Sequence, residues 1–162
     1  MIRRVRLALV IALGLALSLV AAAPARADHE HDPPADAAAA TGAIQRTPRP
    51  LDAKLYIISP KNGETVTSPV TVRFGLSGMG VAPAGVATPA TGHHHLIIDA
   101  PLPPLDKPLP KDEHHVHFGG GQTETTLVLP PGDHTLQLIL ADKDHVPHDP
   151  PLVSEQIKIR VQ

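Results

Sequence analysis

Apolar and polar residues alternate with a period of two in several separate stretches of this chain. Val70, Val72, Phe74 and Leu76 are spaced by smaller or polar residues, and the same rhythm returns in Leu136, Leu138 and Leu140 and in Ile157, Ile159 and Val161. Side chains on a strand point to opposite faces in turn, so each stretch predicts a strand with one buried face. Lys54–Ser59 reads as a further strand, stopped by Pro60-Lys61-Asn62-Gly63, whose proline and Asn-Gly chemistry suits a tight turn. With His94–Asp99 and Thr123–Leu129 the count reaches about six, separated by Pro and Gly clusters that include Pro130-Pro131-Gly132 and Pro147 to Pro151. No amphipathic helix is evident. Short strands divided by turn signals predict an all-β, antiparallel, immunoglobulin-like or fibronectin-like β-sandwich, lacking the Cys and Trp core markers of antibody domains. The segments Gly78–Gly92 and Pro101–Lys111 are long and Pro-rich, as functional loops often are.

The start of the chain follows another pattern. Arg3, Arg4 and Arg6 precede an apolar run from Leu7 to Ala23, and Ala25-Arg26-Ala27 fits a cleavage site. This is the form of a cleavable signal peptide over residues 1–27. The run is short for a bilayer span of about 20 residues, and there is no cysteine to carry a lipid, so no membrane anchor is expected after cleavage near Ala27. The expected location is the periplasm or the exterior. From Asp28 to Pro50 the chain is mostly Ala, Pro, Asp and His, too poor in large apolar side chains to offset the entropy of ordering. We therefore read residues 28–50 as a disordered tether and 51–162 as the sandwich.

Cleavage changes the charge. Of 162 residues, removal of 27 leaves 135, and four of the 14 basic residues leave while all 16 acidic ones stay, a net charge of −6. Nucleic acid is thus not an expected partner. Without cysteine, disulfides, thiolate metal sites and thiol nucleophiles are excluded. The serines lack a nucleophile-elbow context, Gly119-Gly120-Gly121 has no helix after it to cradle phosphate, and Asp142 and Asp144 lack the glycine and glutamate of a calcium loop. Tyr56, Phe74 and Phe118 are the sole aromatics, too few for recognition by stacking.

Histidine is what remains. There are eleven, many in runs or close pairs. In Gly92-His93-His94-His95-Leu96-Ile97-Ile98-Asp99, His94 shares a face with Leu96 and Ile98, while His93, His95 and Asp99 share the other. His115 and His117 likewise lie opposite Val116 and Phe118. Same-face residues are about 6.6 Å apart and adjacent strands under about 5 Å, so two His-x-His pairs on neighbouring strands can bring imidazoles to one ion. His145 and His148, in a loop after a strand, are further candidates, and Asp99, Asp112 and Glu113 could orient the rings. His134 reads as a turn residue, and His29 and His31 as weak metal capture on the tether.

The segments Ser59–Gly63, Gly78–Gly85, Gly92–Asp99, His117–Glu124 and Leu140–Asp142 through His148 to Ser154-Glu155 occur in an order that resembles an exported bacterial family, domain of unknown function 4399. The likeness runs from about Leu55 to Val161. It implies a periplasmic setting and brings no established activity. His115-Val116-His117-Phe118-Gly119 also resembles the His-x-His strand of copper-zinc superoxide dismutases, over a few residues only, with the other motifs of that class out of line.

The function expected is a periplasmic binding protein that buffers or delivers a divalent ion, zinc or copper(II), through His93, His95, His115 and His117 with His145 or His148 nearby. Copper(I) is disfavoured, since Met79 is the one methionine left after cleavage. One alternative is a non-enzymatic envelope or adhesion module whose loops bind a protein or glycan and whose histidines are surface polarity. The other is a copper-dependent redox enzyme.

Overall fold

The computed structural model describes residues 44–162, so the expected signal and residues 28–43 of the expected tether lie outside the described residues. The strands are β1 (Lys54–Ser59), β2 (Thr65–Val66), β3 (Val70–Ser77), β4 (Gly80–Val81), β5 (Thr91–Ile98), β6 (His115–His117), β7 (Glu124–Leu127), β8 (Gly132–Ala141), β9 (Pro147–Val153) and β10 (Ile157–Val161). There is no helix among the described residues. Strands β1 and β3 have the expected bounds. The expected turn between β1 and β2 also forms, with Gly63 at φ 81° and the Glu64 amide donating to the Lys61 carbonyl.

Strands β1, β3 and β7 form one antiparallel sheet, and the other has the order β2-β10-β8-β5-β4, with β6 also beside β5 and β9 beside β8. Apolar residues of the two sheets meet in one core. Leu55, Val72 and Phe74 face Leu96, Ile98, Leu136, Leu138, Leu140 and Ile159. This is a β-sandwich, assembled by the alternation in the sequence. Each fully buried Leu or Val side chain here contributes about 1.5–3 kcal/mol of transfer free energy.

Strand β9 is the main departure, because its three prolines lead one to expect a separator. Leu140 pairs with Leu152 while Ala141 pairs with Pro147, so residues 148–151 bulge from the ladder and Pro150 and Pro151 need donate nothing to it. The carbonyls freed there are taken up by residues that composition placed in the tether. Arg46 donates to the Pro147 and His148 carbonyls, Arg49 to those of Pro150 (2.8 Å) and Pro151 (3.2 Å), and Pro48 bridges to Asp149. The ordered domain therefore takes in this short segment.

Strand β5 is buried on both faces, a pattern unlike the half-buried strands around it. Its inner face belongs to the sandwich core. On its outer face Ile97 joins Ile139 and Ala141, and the Pro-rich segment 101–111 covers them with Leu105 and Leu109. That long loop is thus a lid over the sheet. The close packing of β5 requires Gly92, where a Cβ would lie 2.6 Å from the Ala141 carbonyl oxygen and 3.0 Å from both Leu140 Cγ and His148 Cε1. Backbone cannot yield as a side-chain tip can. Gly92→Ala is expected to cost at least about 2 kcal/mol in a urea melt, by overpacking; unchanged stability would refute this close approach.

Candidate metal centre

The parity expected for β5 is the parity found. His94 points inward, stacks on Phe74 with ring centroids 5.1 Å apart and donates Nδ1–H to the Gln122 carbonyl at 3.2 Å. His93 and His95 lie on the outer face and are buried all the same. Strand β6 pairs with β5 so that His95 faces His117, Leu96 faces Val116 and Ile97 faces His115. This register decides which imidazoles meet. His117 is brought to His93 and His95, whereas His115 is carried along the strand to Ile97.

Ring centroids of His93, His95 and His117 are each 5.0 Å from the other two. One ring nitrogen from each falls within 4.8 Å of the others, the sole such His, Asp or Glu group among the described residues. A fourth ring comes from the turn between β8 and β9. The His145 centroid is 4.7 Å from His117, 5.0 Å from His93 and 6.1 Å from His95. His93 and His95 form a buried floor; His117 and His145, half-buried, form the solvent side.

The floor is electrostatically unusual. Burial, then repulsion from His145 and His117, lowers the His93 pKa from 6.5 to about 4, with Asp142 pulling the other way. Burial, then the positive charge that His93 would carry, lowers His95 to about 2. His117 is also lowered, by burial first and then by His145. These rings are therefore neutral at ordinary pH, the form that ligates metals. His93 Nδ1, His95 Nδ1 and His117 Nε2 are buried without a hydrogen bond, as are His94 Nε2 and His115 Nε2 outside the cluster. A buried polar group left unsatisfied costs about 1–3 kcal/mol.

The spacing fits an ion. Nε2 of His93 and Nε2 of His95 are 3.1 Å apart. Two nitrogens each about 2.0–2.1 Å from one metal are separated by about 2.9 Å at a right angle and about 3.3 Å at the tetrahedral angle. The observed value lies between them.

The remaining candidates stand outside the cluster. His115 donates Nδ1–H to the Asp112 carboxylate at 2.8 Å, so Asp112 orients a ring outside the cluster. His148 is fully buried between β5 and β9, its Nε2 3.2 Å from the Thr91 carbonyl, and serves to hold these strands together. Asp99 accepts from His134 Nδ1 at 2.7 Å, and the other nitrogen of that ring meets the Pro130 carbonyl at 2.9 Å. His134 is thus a satisfied, buried residue of β8 and not a turn residue. Glu113 lies 3.6 Å from His114 and orients none of the cluster rings.

Sequence reasoning missed Gly119. A Cβ there would lie 2.6 Å from His117 Nε2, so the bare backbone admits the ring. The signal was present in the glycine run after Phe118, which reads more readily as a flexible turn.

A family model described as domain of unknown function DUF4399 matches residues 72–162, more than half of the chain. This chain belongs to that family. All four clustered histidines fall within the DUF4399 match, while β1 and residues 46–49 precede it. No curated protein matches the chain. Among solved structures, fibronectin(III)-like modules of CbhA from Clostridium thermocellum are similar at a TM-score of 0.38 and 10% identity, over 67% of this chain and 45% of that one. The chain thus spans less than half the length of that structure.

Proposed function

We propose that this DUF4399 domain binds a divalent transition-metal ion, zinc or copper(II), through His93, His95 and His117 with His145 at the fourth position. It would buffer or deliver that ion outside the inner membrane. The observation that carries this reading is the convergence of three imidazoles, one ring nitrogen of each within 4.8 Å of the others, on rings that burial keeps neutral. A cation at the converging nitrogens would replace the hydrogen bond that His93 Nε2 and His95 Nε2 share at 3.1 Å and would give the buried His117 Nε2 the partner it lacks. The donor set is nitrogen alone, suited to zinc or copper(II) and unsuited to copper(I), which favours sulfur. Entry would be from the side of His117 and His145.

Calorimetric titration of the purified protein with zinc and copper(II) tests this. The native protein is expected to bind one ion with Kd below about 1 μM. Changing an outer-shell partner alone typically costs about 10–100-fold, so His93→Ala, His95→Ala or His117→Ala should each cost at least about 100-fold. His115→Ala should stay within about twofold, because that ring is not in the cluster. Equal losses from His115→Ala and His117→Ala would mark the histidines as a generic metal-attracting surface, and the reading would fail.

A further inference from the structure

His145 differs from the other three rings in how it is held. His93, His95 and His117 stand on paired strands, whereas His145 sits in a tight turn at φ 67°, in the left-handed region that disfavours a side chain. The turn is closed by Asp142 N–H donating to the Val146 carbonyl at 2.9 Å and His145 N–H to the Asp142 carbonyl at 3.0 Å. One carboxylate oxygen of Asp142 accepts from the Asp144 amide at 2.9 Å and the Val146 amide at 3.1 Å. The other accepts from the Thr47 hydroxyl at 2.6 Å. Asp142 is only 4% exposed, so loss of that partner would leave a buried carboxylate oxygen short of a donor.

Thr47 belongs to the segment held against the β9 bulge. Its carbonyl accepts from the Asp149 amide at 2.9 Å, while Arg46 and Arg49 on either side donate to β9 carbonyls and Arg46 also pairs with the Asp149 carboxylate at 3.1 Å. Across the turn, the Leu109 amide of the lid donates to the His145 carbonyl at 2.9 Å. Two segments remote in sequence thus fix this turn.

We propose that residues 46–49 are a clasp that sets the fourth metal ligand, with Thr47 and Asp142 as positioning residues for His145. The inference rests on the metal reading above. Clasp docking and metal occupancy are then linked: an ion that engages His145 favours the docked clasp, and an undocked clasp leaves a site of three imidazoles. Such linkage is reciprocal by thermodynamic necessity.

Cobalt(II), whose visible absorption is intense when four-coordinate and weak at higher coordination, is a suitable probe, together with zinc titration. The native protein is expected to give the intense spectrum. Thr47→Val should shift its bands, as water replaces the fourth imidazole, with zinc affinity lowered about tenfold, the lower end of what outer-shell partners supply, and Thr47→Ser should restore both. In a His145→Ala background Thr47→Val should have no further effect on affinity. Should Thr47→Val not fold, Arg49→Ala loosens the same segment and should shift the spectrum in the same direction. A Thr47→Val protein with native spectrum and affinity would overturn the clasp and leave the metal site standing. A further loss in the His145→Ala background would also overturn it, since the effect would not pass through His145. A native protein that binds neither cobalt nor zinc would overturn both proposals.

Discussion

Between pH 6.5 and pH 4 the metal-free domain should lose stability. An unfolded chain protonates its histidines near 6.5, whereas in the fold His93 resists until about 4 and His95 until about 2, in both cases through burial first and neighbouring imidazoles second. Below 6.5 the unfolded state therefore binds more protons than the folded one, and stability falls as pH falls. His93 alone loses about 3 kcal/mol by pH 4, and His95 a similar amount. Against the roughly 5–15 kcal/mol that holds a typical domain folded, either loss is large. His134 works in the opposite direction. Burial lowers its pKa, but the Asp99 carboxylate, the Pro130 carbonyl and Asp133 together outweigh this and raise it, so its contribution is present below 6.5 and lost only as pH rises past its folded value. It offsets part of the loss. Urea melts of chelator-treated protein at pH 7, 5.5 and 4.5 measure the effect, and a flat midpoint would contradict it. His93→Leu/His95→Leu, with no rings to protonate there, should flatten the profile. An ion bound only to the folded state should move the acid transition to lower pH.

Gly119→Ala should disable the metal site while sparing the fold. The added methyl would meet the His117 ring, and that half-buried ring can swing towards solvent where backbone could not. The expected stability change is under about 1 kcal/mol, ordinary for a site away from the core. Metal affinity should fall at least about 100-fold, as for His117→Ala, since a ligand and not an outer-shell partner is displaced. Gly119→Ala combined with His117→Ala should be no worse than either alone. Native affinity in Gly119→Ala would show that His117 is not held by this contact.

The fold was largely legible because its information is local. Alternation in Val70–Ser77 and Ile157–Val161 marks the buried face of a strand wherever that strand pairs. Strand β9 was hidden for an equally physical reason: Pro150 and Pro151 sit in a bulge, and the carbonyls around it are answered by Arg46 and Arg49, about a hundred residues away in sequence. The doubly buried β5 was half legible. Its run of histidines and aliphatics gave its parity, but not the lid of Leu105 and Leu109 that desolvates its outer face.

The sequence by itself determined that His93 and His95 share one face of a strand, that His117 shares a face with His115, and that thiolate chemistry is absent. These follow from the two-residue period of a strand and from composition. Tertiary structure alone decided that His95 faces His117 and His115 faces Ile97, which leaves His115 outside the cluster. It also decided that the fourth ring is His145 and that His148 is a strut between strands. Register and turn position depend on contacts between residues far apart along the chain, and no local pattern encodes them.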